Sequence, residues 1–460
     1  MGTTDRRRTL WIVLGLAWPT MVEQWLQVGA QYVDSAMVGR LGAAATAAVG
    51  ATTTINWLVG ASVSALGVGF LAYISREYGA RRYDNAARAV AQSVLACLAA
   101  GLIFTALALG LSGAIPRWMS APEEVQATAS QYFFIIYTPM LFRAASVIFG
   151  TVLRASGDTR TPMRCNLVMN LINVVLNFLL IYDSRDVVFL GRTVHIPGAG
   201  LGVMGAAWGT AIAMAAGGVL MTRALWRHPE LSPRGRSLKP DWDILRPCLK
   251  VAIPSALQRF GTSLGYVAFA ALINGLGTVS AAAHSIANTA ESAFYIPAYG
   301  VMTAAATLSG NASGMGDQRY MRSVTRTLLA LEAAMMVVSG GVLFLAAERM
   351  MGLFTPDPEV VRLGTRVLRM VAVTEPLYGV TVVLEGIFQG VGDTMFAFRC
   401  NIVGMWGVRV LGTFICTRVL GLGLPAAWAC MIAHNLLLFV LFSLHYRAGT
   451  WNPLITGSKF

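Results

Sequence analysis

The chain repeats itself in one fixed frame. Ala17 and Pro19 recur 235 residues later as Ala252 and Pro254, Leu41-Gly42 as Leu276-Gly277, and Gly79 as Gly314. Gly157-Asp158-Thr159 recurs as Gly392-Asp393-Thr394, and Arg164-Cys165-Asn166 as Arg399-Cys400-Asn401. A period this long is a duplicated domain, not a solenoid. Gly200-Leu201-Gly202 with Ala206-Ala207-Trp208 also matches Gly421-Leu422-Gly423 with Ala426-Ala427-Trp428, at a shorter offset. The first half therefore carries extra residues, placed in the loop 183–199, where Val187–Val194 suits a short hairpin.

Composition decides what the duplicated unit is. Hydrophobic residues make up 56% and charged residues 12%, with a mean hydropathy of +0.61. Soluble domains carry about a quarter charged residues, so the chain reads as an integral membrane protein. Twelve apolar segments are long enough to cross a bilayer core of about 30 Å: 10–38, 47–75, 88–113, 128–155, 162–182, 200–225, 246–274, 281–311, 322–347, 359–390, 395–419 and 422–447. They lack period-2 alternation and are too long for barrel strands. The predicted fold is an all-α polytopic membrane protein of twelve helices in two homologous six-helix bundles: residues 1–227, a linker 228–243, and residues 244–460. Six spans per copy leave both copies in the same orientation, related by an axis along the membrane normal. Such duplications suggest a transporter with its site between the halves.

Orientation follows the basic loops. Arg6-Arg7-Arg8, the cluster Arg76, Arg81, Arg82 and Arg88, the cluster Arg154, Arg160 and Arg164, the cluster Arg319, Arg322 and Arg326, and the linker with Arg234, Arg236 and Lys239 fall on one side. Both termini are expected in the cytoplasm of a bacterial-type plasma membrane, and most of the net charge of +13 is this topology signal. Charge scattered over loops argues against nucleic-acid binding. The six cysteines show no CxxC or Cys/His grouping, so neither disulfides nor a metal site is expected. The basic N-terminus runs straight into a full-length span, unlike a cleaved signal.

Ionisable groups inside a membrane are costly, by about 2.5–3.5 kcal/mol at mid-helix, so each one kept is a functional candidate. In the first span Glu23, Gln27, Ala30 or Gln31, and Asp34 line one stripe. Asp34 lies close to the outer end, and its equivalent in the second copy is Phe269. A coupling carboxylate need occur in only one copy, which favours Asp34 for that role over local pairing with Arg40. The fifth span carries an amide ladder, Asn166, Asn170, Asn173 and Asn177, and the sixth adds Thr210. Asp34, Asn173, Asn177 and Thr210 can together form an oxygen-rich pocket for a proton or a small hard cation. In the second half Gln258, Thr262 and Tyr266 form a stripe on span seven, and His284, Asn288, Glu291 and Tyr295 one on span eight. With Glu23 and Gln27, the residues Gln258, Thr262, His284, Asn288, Glu291 and Tyr295 form the expected substrate-binding set. Glu375 and Glu385 lie in span ten. Abundant Met, 21 residues, suits an adaptable apolar pocket.

These residues, in this order, resemble the multidrug and toxic compound extrusion (MATE) family. The resemblance rests on Pro19 followed by Asp34-Ser35-Ala36-Met37-Val38-Gly39-Arg40-Leu41-Gly42, and on Gly67 followed by Arg76-Glu77-Tyr78-Gly79-Ala80. It continues through Arg154-Ala155-Ser156-Gly157-Asp158-Thr159, Asn173 and Asn177, Leu201–Trp208, and Ala281-Ala282-Ala283-His284-Ser285-Ile286. It implies a V-shaped pair of bundles that exports organic cations against inward proton or sodium flow. The family's first-span acid matches Asp34. Its fifth-span Asn-x-x-x-Asp pattern matches Asn173, with Asn177 at the Asp position. Members coupled through the second half carry acids in spans seven and ten, where this chain has Thr262 and Tyr378. The expected function is therefore secondary multidrug efflux of cationic amphipathic compounds in exchange for H+ or Na+, coupled through the N-terminal bundle. No other cofactor is expected, and the working unit is expected to be a monomer in the lipid bilayer. A flippase for a lipid-linked or polar precursor is the alternative. It calls for a basic cavity, whereas only Arg143 and Arg259 are expected within the spans. A membrane-embedded enzyme is disfavoured because the five His are scattered and no nucleophile constellation occurs.

Overall fold

The computed structural model describes residues 3–119, 121–189 and 192–457. The first half contains α1 (Thr3–Gly39), α2 (Ala43–Gly79), α3 (Tyr83–Leu111), a short α4 (Ile115–Trp118), α5 (Glu123–Tyr137), α6 (Met140–Ala155), α7 (Arg160–Leu180) and α8 (Val203–Arg227). The second contains α9 (Trp242–Asn274), α10 (Thr278–Met315), α11 (Gln318–Phe354), α12 (Pro358–Ala372), α13 (Glu375–Gly390), α14 (Thr394–Ile402), α15 (Leu411–Phe414), α16 (Leu424–Ala448) and α17 (Pro453–Thr456). Span eleven runs from α14 through α15 with two π-helical stretches, Val403–Val410 and Ile415–Val419.

Seven of these helical stretches are long and apolar enough to cross a membrane outright. The pairs α5–α6 and α12–α13 each make one broken span, bent by 50° and 55°. The other three long helices, α1, α9 and α10, have 37, 33 and 38 residues. They are the helices that carry the polar stripes, which is why hydropathy alone passes over them. Together these make twelve spans.

The duplication is visible in the backbone. α1 turns into α2 at Gly42 (φ 109°) and α9 into α10 at Gly277 (φ 105°), a conformation only glycine adopts without strain. The bends of spans four and ten fall at equivalent places, at Pro139 and Thr374. A methyl group at Gly79 would strike the Asn311 backbone, and one at Gly314 the Arg76 carbonyl. These two contacts are equivalents under the repeat. Ser75 meets its own equivalent, Gly310. A pseudo-two-fold axis thus passes between the ends of α2 and α10.

The halves are knit at the end nearest the termini. Thr20 donates to the Gly300 carbonyl at 2.8 Å, Thr9 and Ser323 share a hydrogen bond of 3.2 Å, and Gly69 abuts Cys248. Three principal cores fill the molecule. One lies among α2, α3, α5, α6 and α8, another joins α1 to α10, α11, α13 and α16, and a third packs α9 and α10 against α11, α12 and α16.

The hairpin lies where sequence places it but is longer: β1 (Asp183–Phe189) pairs antiparallel with β2 (Arg192–Ala199), opposing Asp186 to His195. Residues 190 and 191 of the predicted hairpin lie outside the described residues. The segment between α8 and α9 docks on the first half. Tyr78 donates to Glu230 at 2.5 Å, Arg88 pairs with Asp241 at 2.6 Å, and Gln92 bonds both the Lys239 carbonyl and the Asp241 amide. The backbone amides of Glu230 and Leu231 donate to His228 Nδ1, and burial holds that imidazole below its ordinary value of 6.5.

Candidate functional site

The first-half site joins α1, α7 and α8. Asn177, only 1% exposed, donates to Asp34 Oδ1 at 2.6 Å. Asn173 lies one turn earlier on the same face of α7. With its amide nitrogen toward the carboxylate, it donates to both Asp34 oxygens at 2.8 and 3.2 Å, and its oxygen accepts from Thr210 Oγ1 at 3.2 Å. That orientation satisfies both ends of the Asn173 amide, whereas the reverse would set oxygen against oxygen. Sequence spacing had grouped these four residues, and the structure brings all four together. Charge-assisted bonds from two buried amides make Asp34 a defined, partly open anionic centre. It lies about 21 Å along α1 from the Thr20 contact between the halves, from a rise of about 1.5 Å per residue.

Glu23 is already engaged. Arg154 Nη1 reaches both its oxygens at 3.0 Å, and Asn166 donates at 2.5 Å. This ion pair, with side-chain exposures of 14% and 12%, pins α1 to α6 and α7. Gln27 is solvent- or lipid-exposed.

The predicted second-half residues do not form one set. Gln258 donates to Glu385 at 2.8 Å, beside Gln389 at 3.1 Å. The Thr262 hydroxyl is spent on the backbone carbonyls of Gln258 and Arg259. His284 accepts from the Trp428 indole at 3.2 Å and packs edge-on against Phe269, while Asn288 is exposed. Glu291 is buried in α10, and Glu375, at the start of α13, is buried as well. Tyr295 stands edge-on to Tyr378, whose hydroxyl meets Tyr299 at 2.9 Å.

Several buried polar residues escaped the sequence reading. The expectation of only Arg143 and Arg259 within the spans fails. Arg409, 6% exposed, lies in the π-helical stretch with its guanidinium over Tyr266 and Phe269 at 4.8 and 4.7 Å. Glu332 of α11 is fully buried, and His434 of α16 nearly so. A lone acid in Leu329-Ala330-Leu331-Glu332-Ala333-Ala334-Met335 was signal enough for the former.

A family model described as MatE matches residues 19–179 and 254–415, two copies starting 235 residues apart. The chain belongs to the MatE family. Members of this family are membrane transporters, not enzymes. The chain is 27% identical over 440 residues to a probable multidrug resistance protein NorM of Thermotoga maritima, covering 95% of this chain and 92% of that one. It is 25% identical to the probable multidrug resistance protein YpnP of Bacillus subtilis, covering 95% and 94%. Among solved structures, it is similar to a MATE transporter described in an outward-facing conformation, with TM-score 0.86, 21% identity and coverage of 98% and 97%. It is also similar to a MOP superfamily transporter of Pyrococcus furiosus, with TM-score 0.87, 22% identity and 97% of both chains covered. The MatE assignment makes this a multi-pass membrane transporter with twelve helices.

Proposed function

We propose that this MatE protein is a secondary multidrug efflux antiporter that exchanges cationic amphipathic compounds for protons, coupled through Asp34. The observation that carries the reading is the Asp34 centre: one carboxylate held by Asn173 and Asn177, with Thr210 behind. The relatives named above as multidrug resistance proteins give the substrate class. A carboxylate held by amides in a partly open site attracts a cation when charged and releases it when protonated. A proton taken up from an acidic outside therefore removes the attraction for the substrate and biases the bundles toward the other conformation. Sodium held by the same oxygens obeys the same logic.

With both termini and the linker in the cytoplasm, as the basic loops favour, the knitted end of the halves faces inward. The Asp34 centre then lies toward the outside. One chain supplies both halves, so a monomer suffices.

The test is efflux of a fluorescent monovalent cation from vesicles, with pH and sodium gradients imposed separately. Acceleration by the pH gradient alone is expected. Acceleration by sodium alone transfers the role to that ion, and indifference to both ends the coupled-antiport reading.

A further inference from the structure

At the level of Asp34 the second half carries an apolar groove instead. Under the 235-residue repeat Asp34 becomes Phe269 and Asn177 becomes Gly412, so the bond that ties α1 to α7 has no equivalent between α9 and span eleven. These two helices touch nearer the knitted end, where Gly261 and Gly265 meet Ile402 and Met405, and Trp406 Nε1 donates to the Gly261 carbonyl at 3.1 Å. They meet again at the far end, where Gly275 abuts the Arg418 guanidinium. Between these contacts they part around a groove of about 600 Å³. Ala268 and Ala271 are too short to fill it from α9, and Trp406, Leu411 and Phe414 wall it from span eleven.

The surface around the groove is that of a bilayer-facing wall. Leu264 and Val267 of α9 and Val403, Ile415 and Val419 of span eleven are exposed beside it, and an apolar surface of this extent meets lipid. Arg418 is exposed one residue before span eleven ends at Val419. Among the described residues it forms no ion pair and no hydrogen bond. Trp406 and Arg418 lie twelve residues apart, at most about 18 Å at a rise of about 1.5 Å per residue. That length is close to one leaflet of a core about 30 Å thick.

We propose that this groove binds one anionic phospholipid of the outer leaflet, with an acyl chain between α9 and span eleven and the phosphate on Arg418. The leaflet follows from the orientation that the basic loops favour. Charge complementarity selects the occupant. Arg418 is an unneutralised cation at the end of a span, where lipid phosphates lie, and a head group of net negative charge neutralises it. A zwitterionic head group brings its own cation and gains less. The bound chain fills the space between the two helices and restores the packing that the Asp34 bond supplies in the first half. The site is separate from the Asp34 centre and goes beyond the antiport reading.

The test is native mass spectrometry of the full, delipidated chain titrated with phosphatidylglycerol or phosphatidylcholine. Wild type is expected to hold one phosphatidylglycerol about five-fold more tightly than phosphatidylcholine, the contribution of one arginine at a membrane surface. Arg418→Gln should bring the two lipids level. Ala271→Trp keeps the charge but fills the groove, and should lose the tight site for both. Melting temperatures near the wild-type value without lipid show that the variants fold, and the wild-type comparison stands without either of them. Equal affinity of wild type for both lipids leaves only ordinary lipid contact and overturns the site, as does a preference kept by both variants. Displacement of the lipid by inorganic phosphate alone, or a wild-type dimer that Ala271→Trp breaks, would give the surface another occupant and overturn the proposal equally.

Discussion

The two halves place polar groups at matching positions but distribute charge differently. In the first half Glu23 of α1 takes Arg154 and Asn166 as partners. The equivalents are Gln258, Gln389 and Asn401, and here the acid has moved to Glu385, which stands opposite Gly150 in the repeat. Gln258 and Gln389 both donate to it, while the Asn401 amide donates to the Ala397 carbonyl. One half thus has a neutralised ion pair, the other a carboxylate held by neutral amides. A second contrast follows from helix geometry. Span five is regular, and its Asn ladder keeps to the α1 side. Span eleven is π-helical over Val403–Val410, which re-phases its side chains and turns Arg409 inward. Duplication preserved the scaffold, and divergence at a few positions gave each half its own buried chemistry.

The largest effect should come from breaking the ion pair. Arg154→Leu leaves Glu23 buried with Asn166 alone, at a cost of about 3–5 kcal/mol. Gln389→Leu removes only one neutral donor from Glu385 and should cost about 1–3 kcal/mol. Thermal denaturation of the purified variants compares the two, and equal losses would contradict the charge assignment.

The pseudo-two-fold contact predicts matched effects. Gly79→Ala and Gly314→Ala each force a methyl group into backbone, and overpacking typically costs about 1–3 kcal/mol. The two melting temperatures should fall by similar amounts. A drop confined to one variant would show that the axis contact is not symmetric.

Much of this was legible in sequence. The 235-residue offset fixed two bundles, and i, i+4 spacing placed Asn173 and Asn177 against Asp34. What stayed hidden depended on geometry that periodicity does not carry. The π-helical turn that buries Arg409 has no signature in Gly404-Met405-Trp406-Gly407-Val408, and the Tyr299–Tyr378 hydrogen bond joins residues 79 apart in sequence. Glu23 read as a cavity residue because its partner, Arg154, sits at a basic span end that reads equally well as a topology signal.

Smaller effects sharpen the first-half site. Thr210→Val removes the hydroxyl that orients the Asn173 amide, a change of about 1 kcal/mol, or about five-fold in apparent proton affinity. The pH midpoint of efflux should shift while its maximum holds. An unchanged midpoint would detach Thr210 from the centre.

The smallest effect concerns His228. Its neutral Nδ1 accepts two backbone amides. Because the folded imidazole titrates below the unfolded one, its contribution is complete above 6.5 and is lost as pH falls beneath that value. The protection of the amides in residues 228–241, taken relative to intrinsic exchange at each pH, should fall under acid. His228→Asn should flatten that dependence, and equal acid sensitivity in both proteins would exclude the imidazole as its source.

Coupling through the first half is tested most directly by Asp34→Asn. Asn is nearly isosteric with Asp and keeps the α1–α7 packing, but it cannot take up and release a proton. The variant should reach the membrane at normal yield, bind fluorescent cations without pH dependence, and lose gradient-driven efflux from vesicles. Phe269, at the equivalent position of the second half, cannot substitute. Normal yield with full gradient-driven efflux from Asp34→Asn would contradict the account and move coupling to the second half's glutamates.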